Sequence, residues 1–383
     1  MKIERLKLTN FRNYSQLEIE LGPKINIFIG NNGEGKTNIL ESIYILSLSK
    51  SNRSGLEENL IKYDENISKV EGLIRRDDLL NKQSVILTRE KKQLFLNNKE
   101  IRRSVDYVSK FCIISFTPDD LEVIKGSPNV RRSLINIDIS QINNQYIKYL
   151  NEYNQIVKMR NEYLKKLNID GNKDIRYLDI LNQKMIDNAV YIYKYRFAFF
   201  DKINNYIEKI FNKVTGLSNL KIVYNSTIGV NNFNEEKIRK NYINKIKKNF
   251  NAELLQGQTL IGPHRDDFSF ILEDKDMKLF ASQGQQRMAV ISLKIAEIYL
   301  FKEELKENPV LLLDDIFSEI DSSKRNKIIK YLNNDIQSII TTTDLNDINI
   351  KYQKEAYVFN VKNNNVTKKG RLNNGRGKSR NKL

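Results

Sequence analysis

The chain changes its hydrophobic period twice. In "KIERLKLTNF" and "QLEIEL" apolar and polar residues alternate as in half-buried strands, and "KINIFIG" reads as a short buried strand. Ile39 to Leu48 reads as a helix. Alternation resumes in "KVEGLIRR" and "SVILTREKKQLFLNNKEI", where Asn97-Asn98 predicts a hairpin turn, and "FCIISF" adds a strand before Thr117 and Pro118. From roughly 119 to 250 the period is helical. Tyr146, Leu150, Tyr153 and Val157 step by four, three and four, and Leu178, Leu181, Met185, Ile192, Phe199, Ile203, Tyr206 and Ile210 keep a heptad-like register. Gly171, in the polar break "NIDGNKD", separates the two stretches into an antiparallel helical hairpin packed within a lobe. From about 255 strand and helix alternate again: "DFSFILED", a helix after Gln283, "PVLLLDD", a helix around 323–332, "QSIITTTD" and "AYVFNVK".

This order predicts one α/β lobe interrupted by a mainly helical second lobe. The expected boundaries are 1–115 and 255–366 for the two halves of the α/β lobe and 116–254 for the insert. Residues 367–383, "TKKGRLNNGRGKSRNKL", hold seven Lys/Arg and no acid and read as a disordered tail.

Charge narrows the partners. With 64 Lys+Arg against 47 Asp+Glu the 383 residues carry a formal +17, which favours an anionic partner such as nucleic acid or an acidic membrane surface. The competing explanation is codon bias toward Ile, Lys and Asn. Cys112 is the only cysteine, so no disulfide forms within the chain, which suits a reducing cytoplasm. His264 is the only histidine, which excludes a His/Cys metal cluster and argues against a Ser-His-Asp triad. "MKIERLKLTN" lacks a signal peptide's apolar core, and no apolar run approaches the ~18 residues of a membrane helix. The expectation is a cytoplasmic protein without a membrane partner.

"GNNGEGKT", Gly30 to Thr37, satisfies G-x-x-x-x-G-K-[ST] between a strand and a helix. Gly33 and Gly35 let the backbone turn its amides toward phosphate, Lys36 neutralises the β/γ-phosphates and Thr37 holds Mg²⁺. Gly30, Asn31, Asn32, Gly33, Glu34, Gly35, Lys36, Thr37 and Asn38 are therefore the expected contacts of a nucleotide, with ATP and Mg²⁺ as cofactors. "PVLLLDD" delivers Asp314 and Asp315 at the end of a buried strand, one carboxylate for the Mg²⁺ shell and one to orient an attacking water. Lys36, Asp314 and Asp315 are the candidate catalytic groups, and Thr37 and Asp314 the candidate metal ligands.

So long a separation between P-loop and Asp strand fits an ABC-type ATPase head with a large lobe inserted between its halves. Such enzymes carry a Ser-Gly-Gln signature at a helix start shortly before the Asp strand, where "SQGQQR" falls. Ser282 and the amides near Gly284 then have two readings: a helix cap, or a contact in trans to the γ-phosphate of an ATP held by a second subunit.

The motifs resemble the RecF family of bacterial recombination mediators, in the ABC/SMC-like ATPase group. The matching stretches are "LTNFRNY", "GNNGEGKTNILE", "FTPDDL", "RRSLINID", "GPHRDD", "SQGQQR", "LLLDDIFSEID" and "TTTD", in the family's order. The resemblance implies that Arg12 lies in a loop approaching the nucleotide and that Asp314 is the Mg²⁺-side acid. It places Asp315 where many ABC ATPases have a catalytic Glu, Ser318 to Asp321 at the dimer seam, and Thr343 where transporters have a switch His. The shorter acid and the missing His imply slow hydrolysis. It further implies an ATP-dependent homodimer on single-stranded, gapped or junction DNA, acting with RecR and RecO to load RecA near the nucleoid, with a link to replication and the SOS response.

Three features stay open on the sequence. His264 and Arg265 either reach nucleotide or DNA, or brace their turn against Asp266 and Asp267. Arg131-Arg132 is a DNA contact or a solvated helix face. The basic tail either adds phosphate contacts or is merely a soluble end. Among rivals, a head of an SMC- or Rad50-like chromosome organiser needs long heptad arms, and a transporter subunit needs a switch His and a shorter separation. Neither pattern is present.

Overall fold

A computed structural model describes residues 1–53, 57–170, 175–316, 324, 325, 327, 335–348, 353 and 355–371. They divide into two units, Met1–Pro118 with the residues from Glu307 on, and Asp119–Lys306.

In the first unit, alternation builds an antiparallel sheet. Strands β1 (Lys2–Phe11), β2 (Tyr14–Glu20), β4 (Ile67–Arg76), β5 (Leu79–Thr88), β6 (Lys92–Leu96) and β7 (Lys99–Ile101) lie in the order β2-β1-β4-β5-β6-β7. The β6–β7 turn is the one expected at Asn97 and Asn98, both at positive φ. The apolar runs form a second sheet, β15-β14-β3-β13-β12-β8, from β3 (Ile25–Ile29), β8 (Ile113–Phe116), β12 (Val310–Asp314), β13 (Ser338–Thr342), β14 (Tyr357–Lys362) and β15 (Asn365–Arg371). All its neighbours are parallel except the antiparallel pair β14–β15. Helix α1 (Lys36–Leu48), apolar on nearly every side, touches strands of both sheets and is buried almost throughout. Gly72 on β4 permits that approach, since a Cβ there would lie 2.3 Å from Leu46 Cδ2.

The second unit is helical, with α2 (Glu122–Lys125), α3 (Pro128–Ile142), α4 (Asn144–Asp170), α5 (Arg176–Thr215), α6 (Glu235–Gln256), α7 (Met277–Phe280) and α8 (Gln283–Leu305). The expected antiparallel hairpin is α4 against α5: Tyr149 stacks on Tyr191 and Tyr163 meets Tyr177. A small antiparallel sheet, β9 (Leu220–Asn225), β10 (Asp267–Leu272) and β11 (Lys275–Asp276), completes the unit.

Two expectations are corrected. The chain does not return to the α/β lobe at 255: β10 pairs with β9, and α8 packs along α5, so the signature helix belongs to the second unit up to Lys306. The tail does not begin at 367, because residues 365–371 form β15 against β14. Residues 372–383, the break at Gly171, Ser318 to Asp321, and the expected helix at 323–332 except residues 324, 325 and 327 lie outside the described residues.

Two buried charge clusters hold the second unit. Arg160 and Glu253, wholly buried, pair at 2.7 Å, and Asn182, Thr259 and the Leu260 amide occupy their remaining positions. Lys294 and Glu297 of α8 pair at 3.2 Å with Asp138 of α3 buried nearby. Burial pushes the Asp138 carboxyl up to about 6, and burial together with the Asp138 charge raises Glu297. Replacing Glu253 by Ala leaves the Arg160 guanidinium in the core without its counter-charge, and should cost about 3–5 kcal/mol. Chemical denaturation of the full chain measures it; a loss below about 1 kcal/mol would mean that the pair behaves like one at the surface.

Candidate nucleotide site

The site lies at the carboxyl edge of the parallel sheet, where open α/β sheets place their ligands. Register decides what meets there. β13 lies between β3 and β12, with Thr342 opposite Ile29 and Thr341 opposite Asp314, so three strand ends finish level. The loop Gly30–Gly35 leaves β3 and enters α1. Gly33 and Gly35 take φ of 84° and 101°, a region that side chains rarely adopt. Gly35 is closely hemmed as well, because a Cβ there would lie 2.8 Å from Tyr14 Oη and 2.9 Å from Asn364 Oδ1.

Lys36 folds back across this loop. Its Nζ donates to the carbonyls of Gly30 at 2.7 Å and Asn31 at 2.8 Å. Burial lowers its pKa, while Asp315, Asp314 and Glu34 pull the other way. Thr37 Oγ1 donates to Asp314 Oδ1 at 3.1 Å, and Thr341 Oγ1 donates to the same oxygen at 2.6 Å. Asp315 follows with φ of 48°, its amide donating to Thr341 O and Oγ1 at 3.2 and 3.1 Å. Thr37 and Asp314 thus offer a hydroxyl and a carboxylate at one point. These hard oxygens suit Mg²⁺, which takes few protein ligands and completes its shell with phosphate and water. Asn31, Asn32 and Gly33 are exposed on the loop crest, and Glu34 accepts from Asn31 Nδ2 at 3.4 Å. Asn38, on the first turn, accepts from Arg53 at 3.3 Å.

Arg12 is brought to the P-loop helix. Its guanidinium grips Glu41 of α1 at 3.0 and 2.7 Å and donates to Asn59 O at 2.8 Å. The side chain is committed to that carboxylate, so its place is one turn past Thr37 on α1.

In the second unit Ser282 is the N-cap of α8. Its Oγ accepts from the Gln285 amide at 3.3 Å, and Gln285 Oε1 accepts from the Ser282 amide at 2.8 Å, a complete capping box. Ser282 and Gly284 are exposed, and a Cβ on Gly284 would meet nothing within 4 Å.

"GPHRDD" braces its own turn. His264 Nδ1 lies 2.8 Å from Tyr153 Oη and Nε2 3.1 Å from Thr259 O. Asp266 accepts from Tyr224 and Thr227, and Arg196 reaches Pro263 O at 2.7 Å. Gly262 is the opening into this cluster: φ is 115°, and a Cβ would lie 2.0 Å from Tyr242 Oη. Arg131 does not lie on a solvated helix face. It is buried and holds Asp267 with two bonds of 2.6 and 2.9 Å. Arg132 donates to Asp266 O at 2.8 Å.

Thr341 is the member of this hydrogen-bonded cluster that motif reading passed over. "TTTD" drew attention to Thr343, which is exposed, whereas the register with β12 singles out Thr341. The β14–β15 turn was equally hidden; its Asn364 abuts Gly35, and a Cβ on Gly30 would strike Val361 O at 2.2 Å.

A P-loop joining strand to helix, with an acid at the end of a parallel strand one strand removed and a signature-like helix start in a separate unit, defines an ABC-type ATPase head. The family model described as the RecF/RecN/SMC N terminal domain matches residues 2–367. The DNA replication and repair protein RecF of Ligilactobacillus salivarius (strain UCC118) is 34% identical over 369 residues, covering 96% of this chain and 97% of that protein. The RecF of Lactobacillus johnsonii (strain CNCM I-12250 / La1 / NCC 533) is 36% identical over 372 residues, covering 96% and 100%. The solved structure of the recombination mediator protein RecF with ATP in the RecFOR pathway superposes with a TM-score of 0.89 at 31% identity, over 96% of this chain and 97% of that one. The Smc head domain of Pyrococcus furiosus shares the fold, with a TM-score of 0.53 at 17% identity over 96% and 95%. The chain belongs to the RecF family. No helix among the described residues is long and apolar enough to cross a membrane.

Two outcomes follow from this geometry. Thr341→Val removes the donor to Asp314 and the acceptor for the Asp315 amide while keeping the β-branched shape. ATP turnover should fall roughly tenfold, the equivalent of about 1.4 kcal/mol in the barrier, with ATP affinity nearly unchanged; unaltered turnover would leave Thr341 a plain strand residue. Burial lowers His264 from 6.5 to about 4. The unfolded chain therefore takes up the proton first, so this stabilising contribution is complete above pH 6.5 and is lost as pH falls toward 4. The loss is at most roughly 3 kcal/mol. Comparing denaturation midpoints of the parent and His264→Gln at about pH 7 and about pH 4.5 isolates it, and the parent should lose more than the variant.

Proposed function

We propose that this chain is an ATP-driven DNA replication and repair protein that works as a slow switch. The reading rests on one observation: Lys36 closes the phosphate loop while Thr37 meets Asp314 at the end of β12, in a member of the RecF family. Gly30 to Asn38 would hold the phosphates, and Thr37 with Asp314 would hold Mg²⁺, whose charge would offset that of the phosphates. Asp315 is the group set to orient water. Having one methylene less than Glu, it reaches less far, in keeping with slow turnover.

Two copies pair head to tail on ATP, each presenting Ser282 and the amides around Gly284 to the nucleotide of the other. The cap leaves this possible. Ser282 Oγ accepts from Gln285, and its own hydroxyl hydrogen remains for a phosphate oxygen. The first amides of a helix have no partner within it and suit an anion. The closed pair holds single-stranded, gapped or junction DNA and helps to load recombinase with RecR and RecO, and hydrolysis releases it.

Lys36→Met should abolish turnover and greatly weaken nucleotide affinity; near-normal hydrolysis would remove the P-loop assignment. Ser282→Arg should leave ATP binding by the monomer nearly intact yet block ATP-driven pairing in light scattering, and hydrolysis with it. Mixing the two variants assembles one site from two intact halves and should restore part of the activity. Ser282→Arg that pairs and hydrolyses like the parent would make Ser282 a helix cap alone.

A further inference from the structure

Helix α6 has an uneven charge. Its first turn carries Glu235 and Glu236, but residues 237–252 hold six Lys/Arg and no acid, interleaved with asparagines. Arg239 is spent within the fold, since it pairs with Glu235 at 2.9 Å and Asp187 at 2.6 Å. The lysines are not: Lys237, Lys240, Lys247 and Lys248 are exposed, and none has an ion-pair partner among the described residues. At 100° per residue these four fall on one face of the helix, with Asn244 and Asn251 between them. The opposite face, Ile238, Tyr242 and Ile246, is buried in the second unit. Neighbouring α4 differs, for its exposed Lys158, Lys165 and Lys166 are interspersed with exposed Glu152 and Glu162.

We propose that this lysine face of α6 is a contact surface for the phosphate backbone of duplex DNA. The proposal rests on the DNA-binding reading above and gives it a location. From Lys237 to Lys248 the helix rises about 16 Å, a length over which duplex DNA carries about nine phosphate charges. Four ammonium groups spread over that distance neutralise several phosphates at once, and the asparagine amides add neutral donors of the kind that bond phosphate oxygens. An acidic membrane is the other large polyanion. A helix that lies on a membrane offers an apolar face to the lipid, and here that face is already buried in the protein. The contact reads charge and spacing, so it is independent of base sequence.

The test uses the full chain with Lys237, Lys240, Lys247 and Lys248 all changed to Gln. A second variant with Lys91, Lys110, Lys209 and Lys213 changed to Gln loses the same charge elsewhere. Binding to a labelled duplex of arbitrary sequence is measured across a salt series, beside ATP affinity and circular dichroism to verify the fold. Each lost phosphate contact should lower the log–log salt slope by roughly 0.9, so the α6 variant, with four lysines removed, should lose up to about 3.6 in slope and more than about tenfold in affinity. The second variant should stay close to the parent, and ATP affinity should be unchanged in both. If both variants weaken equally, net charge alone is at work and the α6 site is refuted. If the parent binds duplex steeply and the α6 variant matches it, the site is refuted while the DNA-binding reading stands. A parent that does not bind the duplex overturns the α6 site, and one that also fails to bind gapped and single-stranded DNA overturns both. Loss of binding to phosphatidylserine vesicles with duplex binding intact would assign the face to a membrane and sink the proposal.

Discussion

One carboxylate oxygen ties the first unit together. Asp314 Oδ1 receives hydrogen bonds from Thr37, at the start of α1, and from Thr341, at the end of β13. Neither donor is near Asp314 in sequence, and each arrives only if its strand is in the right place in the sheet. The parallel order β3-β13-β12 levels the three carboxyl ends, and α1 must then leave β3 so that its first turn faces Asp314. Burial of α1 between two sheets supplies the constraint. A helix apolar on nearly all sides has no solvent face to turn outward, so its rotation is set by packing, and the rotation sets where Thr37 points.

The second unit solves a different problem. Its helices bury charges as well as hydrocarbon, and a buried charge is tolerated only with partners on every side. Arg160, Arg196 and Arg131 each have them, from a carboxylate, from tyrosine hydroxyls and carbonyls, and from Asp267 with three backbone carbonyls. Such networks fit one arrangement only, because any shift strands a polar group. The start of α8, where the proposed contact with a second copy lies, is carried by a frame whose own helix bears the buried pair Lys294–Glu297. This gives the signature residues a defined position without any ligand.

What was legible in the sequence was what is local. "GNNGEGKT" carries its strand, turn and helix start in one stretch, and a buried strand ending in acids is visible in "PVLLLDD". What was illegible depends on partners far along the chain. Arg131 reads as a surface residue until Asp267, 136 positions away, is placed beside it. β9 is six residues of alternation amid helices, and only β10 gives it a neighbour. β15 is basic enough to read as disorder, yet pairing with β14 supplies backbone bonds that composition does not reveal. For Arg12 the family resemblance implies a loop approaching the nucleotide; its bond to Glu41 of α1 could be learned only from the fold.

The cap at Ser282 is compatible with the proposed trans contact. A serine hydroxyl has two acceptor positions and one hydrogen. The capping box uses acceptance alone, from the Gln285 amide, and fixes the side chain in one orientation. The hydrogen stays available, the amides of Gln283 and Gly284 precede the first intrahelical bond, and a Cβ on Gly284 would meet nothing within 4 Å, so the space beside them is open. Preorganisation by the cap would also lower the ordering entropy that the proposed contact between copies has to overcome. Stability of the helix start and capacity for an anion are therefore two consequences of the same six polar or flexible residues.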